Sequence, residues 1–192
     1  PPRSTLFPYT TLFRSLSSGL KKFKWDIQAF GKRKNRMLES LKPPDGTFGP
    51  RAVLHGLRLV LPPDGILTCD VGAHLHLAGQ MWPTPSPDCL LMTNGWSSMG
   101  FGIPAAIGAK LCRPERKVTC VTGDGGFLMA AGELATARRI GLNIVFVLLS
   151  DRDLSLIRIK QGRKGYGAGY GTRLYDSAGL VKDAFLGVPV IS

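Results

Sequence analysis

The sequence predicts an α/β fold with a mostly parallel sheet and helices on both faces. Two observations lead to this fold class: short apolar runs recur along the chain, and they alternate with stretches that have a helical period. Strands that are apolar on both sides are typical of parallel sheets, because helices cover each face. In such sheets, ligands bind outside the carboxyl ends of the strands.

Five apolar runs carry the strand signal, at 66–69, 90–93, 118–122, 144–149 and 188–191. Helices are predicted over 50–61, 102–111, 130–140 and 177–185. The first of these helices begins at Pro50, because a first helical turn tolerates proline. We expect the chemistry in the polar or glycine-rich loops that follow four strands, after Asp70, Thr93, Thr122 and Leu149.

The two ends of the chain differ from this core. Residues 1–15, PPRSTLFPYTTLFRS, resemble a translated sequencing adapter, so we expect an artefactual leader there. Residues 16–49 predict a basic helix and a linker, which we interpret as the tail of a preceding domain. Residues 50–192 are the predicted binding domain, and a strand signal that ends just before Ser192 leads us to expect a truncated domain.

The composition favours one globular, cytoplasmic domain, because 44% of the 192 residues are hydrophobic and no apolar run is long enough to span a membrane. The four cysteines and three histidines lack metal-ligand spacing, which predicts buried free thiols and no zinc site. The net charge of +12 and a basic cluster at 21–36 raise nucleic-acid binding as an alternative. Phe23, Trp25 and Phe30 recur there at a spacing that favours one buried helix face and a solvated basic face.

The turn Gly123-Asp124-Gly125-Gly126 follows the third strand and leads into a helix. Glycines allow close approach of the backbone, and free amides at a helix start attract an anion such as phosphate. A carboxylate inside such a turn repels that anion unless a cation lies between them. Asp124 therefore indicates Mg²⁺, a cation that prefers oxygen ligands.

A second acidic turn, Ser150-Asp151-Arg152-Asp153, follows the next strand. Adjacent parallel strands that are joined by a crossover bring both turns to the same edge of the sheet. Asp151 would then add oxygen ligands that Asp124 alone does not supply. The alternative is that Asp151 and Asp153 are ordinary turn and capping residues.

Three segments, in order along the chain, resemble a known family. The run GDGGFLMAAGELATARRIGLNIVFVLLSDRDLSLI resembles the thiamine-diphosphate motif, which begins with GDG and closes with paired Asn or Asp. The segments CDVGAHLHLAGQMW and TNGWSSMGFGIPAAIGAK are similar to parts of the acetolactate synthase large-subunit family. The likeness covers roughly 50–191, and it implies the thiamine-diphosphate-binding fold with thiamine diphosphate and Mg²⁺ as cofactors.

The resemblance implies roles for individual residues at the metal and the diphosphate. Asp124 and Asp151 would ligate Mg²⁺ through their side chains, and Asp153 would do so through its backbone carbonyl. The diphosphate would lie against a histidine and the glycine turn, that is, against His74, Gly123, Gly125 and Gly126. The alternative for His74 is a loop histidine that is satisfied by the protein itself.

The resemblance also assigns the organic part of the cofactor. Ser97 and Met99 would meet the aminopyrimidine through backbone groups, and the Met99 side chain would hold the cofactor in a bent form. Leu156 and Ile157 would pack near the thiazolium ring. Plain core packing is the alternative for Met99 and Leu156.

Two positions depart from the family pattern. Ser150 stands where the family usually has Asn, and it lacks the amide that would brace the loop. Lys160 stands where acetolactate synthases carry a tryptophan that shapes the pocket for the second keto acid, which argues against acetolactate formation. Arg158 and Lys160 would instead face a second anionic group on the substrate; the alternative is that both are solvated.

The implied enzyme is a lyase or transferase that decarboxylates a 2-keto acid, with or without carboligation. The activating glutamate is expected from an N-terminal pyrimidine-binding domain of another subunit. We therefore expect this chain to be inactive alone and the full-length protein to be a homodimer or homotetramer, with room for FAD in a middle domain. The alternatives are a natural small subunit of a split decarboxylase of the sulfopyruvate type and a non-catalytic phosphate-binding module. Neither nucleic acid nor a membrane is expected as a partner.

Overall fold

The structure is a computed structural model that describes residues 26–44, 46–167, 169–174, 184–186 and 188–191. The chain divides into two units, Pro1–Leu41 and Lys42–Ser192. In the second unit the elements follow one another as helix α2 (Pro50–Val60), strand β1 (Ile66–Cys69), α3 (Ala73–Met81), β2 (Leu90–Met92), α4 (Gly102–Cys112), β3 (Val118–Gly123), α5 (Asp124–Ala130), α6 (Glu133–Arg139), β4 (Ile144–Leu149), α7 (Ser155–Arg163), β5 (Ala184–Phe185) and β6 (Val188–Pro189).

The first unit contains helix α1, which covers Ile27–Leu41. The Asp26 carboxylate accepts a hydrogen bond from the Ala29 amide at 2.9 Å and so starts the helix. Within the segment predicted as a basic helix and linker, Ile27–Leu41 is helical, but the burial predicted for Phe30 is wrong, since this side chain is 54% exposed. A helix buries its apolar stripe only against another element, and α1 is the one element among the described residues of this unit. Phe23 and Trp25 lie outside the described residues.

The second unit contains a four-stranded parallel sheet in the order β2-β1-β3-β4. The two central strands are almost wholly buried, and their apolar residues alternate between two cores. On one face, β1 and β3 pack on α4, α5 and α6 through Ile66, Val118, Cys120, Ile103, Phe127 and Leu134. On the other face they pack on α2 and α3 through Leu67, Cys69, Val121, Leu54, Leu75 and Trp82. The predicted α/β fold with helices on both faces is confirmed.

Two helix predictions need correction. The helix predicted over 130–140 is observed as the shorter α6, Glu133–Arg139, because the preceding helix α5 extends to Ala130 and residues 131 and 132 separate the two. Helix α3 was not predicted, because Gly79 and a weak apolar period give it little helical signal. In the structure it forms because Leu75 and Ala78 are buried against the sheet.

The C-terminal predictions are partly wrong. Residues 177–183 of the predicted helix lie outside the described residues, and Ala184–Phe185 forms strand β5 instead of a helix end. The strand predicted over 188–191 is present as the two-residue β6, which pairs antiparallel with β5 in a separate sheet. Pro189 lacks the N–H that a central strand needs, so this segment is suited to a short edge ladder.

The cysteines are all free: Cys69, Cys89 and Cys120 are buried, as predicted, whereas Cys112 is exposed. Cys112 is the last residue of α4, where the helix leaves the core, and this accounts for its exposure. Within the described part of the chain, no helix has the length and apolar character that crossing a bilayer would require.

Candidate functional site

The candidate site lies at the carboxyl ends of β1, β3 and β4. In the register of β3 and β4, Gly123 is opposite Leu149, so the first turn of α5, which begins at Asp124, is next to the loop that begins at Ser150. The Asp124 carboxylate is only 4% exposed. Its Oδ2 accepts hydrogen bonds from the Arg152 amide at 2.7 Å and from the Ser150 hydroxyl at 3.3 Å. The two acidic turns therefore meet at one edge, as the topology predicted.

The second turn holds its own carboxylates in local contacts. Asp151 Oδ1 accepts the Asp153 amide at 3.1 Å, and Asp151 Oδ2 accepts the Ser155 hydroxyl. Asp153 Oδ2 lies 2.8 Å from Arg158 Nε, and Oδ1 of the same residue is buried without a hydrogen-bond partner. These are the contacts that turn and capping residues make, so they are compatible with both interpretations of the turn. Metal ligation by Asp124, Asp151 and Asp153 stays a prediction.

A short antiparallel bridge fixes the position of this turn. The Leu154 amide donates to the Thr172 carbonyl at 2.8 Å, and the Leu174 amide donates to the Arg152 carbonyl at 2.9 Å. Arg152 has a φ of 61°, a left-handed conformation that is uncommon for a residue with a side chain. Among the described residues, no group of three or more His, Cys, Asp or Glu side chains is arranged to hold a metal ion.

The glycine turn approaches its neighbours too closely for other residues. A Cβ at Gly125 would lie 2.6 Å from Met99 Cε and 2.7 Å from Leu154 Cδ2. A Cβ at Gly123 would lie 3.2 Å from Cε1 of His74. The Gly125 amide donates to Asp124 Oδ1 at 2.9 Å, so this predicted phosphate donor is held by a carboxylate in the structure. The glycines are therefore required by packing as well as by any ligand.

His74 lies in α3 beside the glycine turn and is 6% exposed. Its Nε2 is buried without a hydrogen-bond partner in the structure. Burial lowers the pKa of His74, while Asp70, Asp124 and Asp151, together with a hydrogen bond to the Asp70 backbone, act in the opposite direction. One ring nitrogen donates to the Asp70 backbone, so Nε2, the other nitrogen, can donate to an anion such as a diphosphate only in the protonated imidazole, a form that a nearby anion favours.

The predicted contacts of the organic part are less well grouped. Met99 is partly buried with its side chain over Gly125, and the Ser97 hydroxyl donates to the Thr93 carbonyl at 3.4 Å. Leu156 is partly buried in α7, whereas Ile157 is 44% exposed. Met99 is thus placed beside the glycine turn, and Ile157 faces solvent in this chain.

Asp70 is a site residue that the sequence did not single out. Its side chain is fully buried at the end of β1, and its carboxylate accepts hydrogen bonds from the amides of Val71, Gly100 and Gly102 at 2.6, 3.0 and 2.8 Å. A Cβ at Gly126 would lie 2.7 Å from Asp70 Cγ. The available signal was an acidic residue between a buried strand and a glycine, which is too common to identify a site by itself.

The residues present fit a diphosphate held through a cation. The edge supplies oxygen atoms from Asp124 and the 150–153 turn that could ligate a cation. It also has a buried ring nitrogen of His74 without a hydrogen-bond partner, and a glycine turn with no room for a side chain. Two buried carboxylates, Asp70 and Asp124, would repel a bare anion here. A divalent cation between the carboxylates and the anion would offset that repulsion.

Comparison with known proteins identifies the family. Residues 70–184 match the model of the thiamine pyrophosphate enzyme, C-terminal TPP binding domain. The chain belongs to this family. The match begins at Asp70 and includes the glycine turn and the acidic turn, so the sequence resemblance is confirmed.

Relatives of this thiamine pyrophosphate-binding domain include several acetolactate synthases. The chain is 33% identical to the acetolactate synthase isozyme 2 large subunit of Escherichia coli over 147 residues, which are 77% of this chain and 27% of that protein. It is 37% identical to the acetolactate synthase of Mycobacterium leprae over 134 residues, 70% of this chain and 21% of that protein. It is 41% identical to the E. coli isozyme 1 large subunit over 98 residues, 51% of this chain and 17% of that one. The matches thus cover about a quarter or less of each relative.

Proposed function

We propose that this chain is the cofactor-holding domain of a thiamine-diphosphate-dependent enzyme that decarboxylates a 2-keto acid, with or without carboligation. The observation that carries the proposal is the position of Asp124, a buried carboxylate in the glycine turn that is bonded to the 150–152 turn. Family membership supports thiamine diphosphate as the ligand. Mg²⁺ and the reaction itself are part of the proposal.

The residues of this chain would bind and orient the cofactor. Asp124, Asp151 and the carbonyl of Asp153 would hold Mg²⁺, while the glycine turn and His74 Nε2 would hold the diphosphate oxygens. Met99, whose side chain already lies over Gly125, would support the pyrimidine side. Bound thiamine diphosphate supplies the electron sink that accepts electrons when carbon dioxide leaves a 2-keto acid.

We also propose which basic side chain faces the substrate. Arg158 is bonded to Asp153 at 2.8 Å and so serves the acidic turn. Lys160 is exposed in α7 and is the better candidate for a second anionic group on the substrate. Lysine at this position also separates the chain from the acetolactate-forming pattern described above.

The complete enzyme would need more than this chain. We propose that a pyrimidine-binding domain of another subunit supplies the activating glutamate, within a homodimer or homotetramer, and that any flavin lies outside the residues present here. The purified chain should then show no pyruvate turnover when thiamine diphosphate and Mg²⁺ are present. Turnover by the chain alone would contradict this part of the proposal.

Calorimetry with thiamine diphosphate, with and without Mg²⁺, tests the cofactor assignment. We expect binding that requires Mg²⁺ in the unchanged chain and its loss in Asp124→Asn, a substitution that keeps the shape of the side chain but removes its charge. Asp64→Asn is the matched control, because Asp64 is exposed just before β1, at the opposite end of that strand from the site. Binding that survives Asp124→Asn, or a folded chain without Mg²⁺-dependent binding, would overturn the proposal.

A further inference from the structure

We infer that Asp70 is a positioning residue for the pyrimidine side of the cofactor site, because its buried carboxylate fixes the backbone that places Met99 over the glycine turn. This inference rests on the proposed function and adds a residue to it. Asp70 would touch no cofactor atom. It would act through the backbone at Gly100 and Gly102.

The Asp70 carboxylate is fully buried. Asp70 is 0% exposed at the end of a central strand, where an unpaired charge is strongly disfavoured. Three backbone amides compensate: Val71 and Gly100 donate to Oδ1, and Gly102 donates to Oδ2. Hydrogen bonds to a charged acceptor are about twice as strong as neutral ones, so these loops are firmly held.

Asp70 is linked to Met99 through the backbone of Gly100. Gly100 follows Met99 directly and has a φ of 84°, a left-handed conformation that favours glycine. Its amide is held by Asp70 at 3.0 Å, and the next donor, Gly102, is the first residue of α4. Asp70 therefore fixes the backbone on the C-terminal side of Met99, whose Cε lies 2.6 Å from the position of a Cβ on Gly125.

Asp70 also lies beside Gly126, on the proposed diphosphate side of the site. A Cβ at Gly126 would lie 2.7 Å from both Cγ and Oδ1 of Asp70, so the carboxylate lies directly against α5. A negative charge at this place repels an anion in the glycine turn. Removing the charge should leave diphosphate binding unchanged or improve it, whereas binding that depends on Met99 should weaken. A general loss of folding would weaken the binding of both halves of the cofactor. A positioning role should instead weaken only the binding that depends on Met99.

The experiment compares two ligands in three proteins. Affinities for thiamine diphosphate and for inorganic pyrophosphate, both with Mg²⁺, are measured by calorimetry in the unchanged chain, Asp70→Asn and the control Asp64→Asn. We expect Asp70→Asn to lower the affinity for thiamine diphosphate by at least about tenfold, which corresponds to the loss of one hydrogen bond to a charged acceptor. The affinity for pyrophosphate should stay the same or rise. The control should match the unchanged chain for both ligands.

Three outcomes count against the inference. Equal binding of thiamine diphosphate by Asp70→Asn and the unchanged chain overturns it. Parallel weakening of both ligands shows that Asp70 only supports the fold and also overturns it. Absence of Mg²⁺-dependent thiamine diphosphate binding in the unchanged chain overturns the proposed function, and this inference falls with it.

Two further measurements keep the inference testable if Asp70→Asn folds poorly. Gly100→Ala strains the same backbone without changing Asp70. Residue 100 has a φ of 84°, which alanine disfavours, and its added Cβ would lie 3.3 Å from Met129 Cβ. It should weaken thiamine diphosphate and spare pyrophosphate in the same way, and no difference between the ligands would contradict the inference. NMR of labelled methionine methyl groups reports on Met99 without any ligand, and Met99→Leu identifies its resonance. In Asp70→Asn the chemical shift of this methyl group should move toward the value of an unfolded chain. An unchanged chemical shift would also contradict the inference.

Discussion

The two edges of the parallel sheet hold their loops with charges of opposite sign. At the carboxyl edge, Asp70 and Asp124 accept hydrogen bonds from backbone amides near the starts of α4 and α5. At the amino edge, Lys110 donates to the Pro114 and Arg116 carbonyls at 2.7 Å, and Arg116 donates to the Asp64 carbonyl. The amides bonded at the carboxyl edge include those that a helix start exposes, whereas the carbonyls bonded at the amino edge belong to the loops that precede β1 and β3.

This difference explains why an anion would need a cation in order to bind at the carboxyl edge. Helix starts at the carboxyl edge can attract a phosphate group, but Asp70 and Asp124 already accept hydrogen bonds from the amides of Gly102 and Gly125. A diphosphate that arrives alone meets two buried carboxylates, whereas a diphosphate with Mg²⁺ brings a positive charge to them. The basic amino edge would not repel an anion, but its cations are already bonded to carbonyls.

The largest effect is expected from Gly126→Ala at the carboxyl edge. The added Cβ would lie 2.7 Å from an Asp70 carboxylate that three amides hold in place. We expect a loss of about 3 kcal/mol in the free energy of unfolding, at the upper end of overpacking effects, and loss of Mg²⁺-dependent thiamine diphosphate binding. Denaturant unfolding and calorimetry measure both.

Gly132→Ala is the matched control for that substitution. Gly132 is exposed, has a φ of −58° and has no atom within 4 Å of an added Cβ. It should unfold and bind like the unchanged chain. If Gly126→Ala is as stable as this control, Asp70 is not held as firmly as the hydrogen bonds indicate.

The buried thiols predict a loss of stability in alkali. Burial raises the pKa of Cys69 and of Cys120 to about 12 from an ordinary value of 9.0. Between these values the unfolded chain loses a proton that the folded chain keeps, so the stabilising contribution is complete below pH 9 and falls as the pH rises toward 12. The expected loss is roughly 1 kcal/mol per pH unit for each thiol.

Denaturant unfolding at pH 8 and pH 10 measures this slope. Other groups also titrate in this range, so the slope is compared with that of a Cys69→Ala/Cys120→Ala variant. The variant should have the shallower pH dependence. Identical slopes in the two proteins would show that neither thiol is protected in the way its burial implies.

Much of this fold could be predicted from local pattern, and the missing parts are those that depend on distant partners. The strands at 66–69 and 144–149 are continuous apolar runs, so their bounds could be predicted within a residue, and the crossover rule then made β3 and β4 neighbours. Helix α3 was missed because its stability comes from Leu75 and Ala78 packing on the sheet. Packing of this kind leaves little periodic signal in the sequence.

The same contrast applies within the candidate site. Asp124 could be identified because its motif is local, with the acid and the glycines adjacent in sequence. Asp70 could not, because its meaning comes from Gly100, Gly102 and Gly126, which lie 30 residues or more away along the chain. Ile157 was expected near the cofactor from motif position alone, and helix α7 places it toward solvent in this chain.

Arg116→Ala tests the amino edge and should have a smaller, purely structural effect. Arg116 donates to the Asp64 carbonyl and, at 3.1 Å, to Cys89 Sγ. Removing its side chain therefore takes one hydrogen-bond donor from each of these two acceptors. We expect a loss of about 1 kcal/mol in stability and an unchanged affinity for thiamine diphosphate with Mg²⁺. Arg113→Ala, at an exposed position three residues earlier, is the control. A weaker ligand affinity in Arg116→Ala would show that the two edges are coupled.

The smallest effect, and the one gain, is expected from Gly108→Ala in the middle of α4. Gly108 is exposed, and an added Cβ there meets nothing within 4 Å, so alanine should stabilise the helix by about 0.5–1 kcal/mol. Gly102→Ala makes the same change in the same helix at the carboxyl edge, where the Cβ would lie 3.0 Å from Asp70 Cβ and 3.1 Å from Cys120 Sγ. Thermal unfolding should therefore move in opposite directions for the two variants. A shift of the melting temperature in the same direction for both variants would mean that only the helix propensity of α4 matters. The close packing of its first turn at the carboxyl edge would then have no effect on stability.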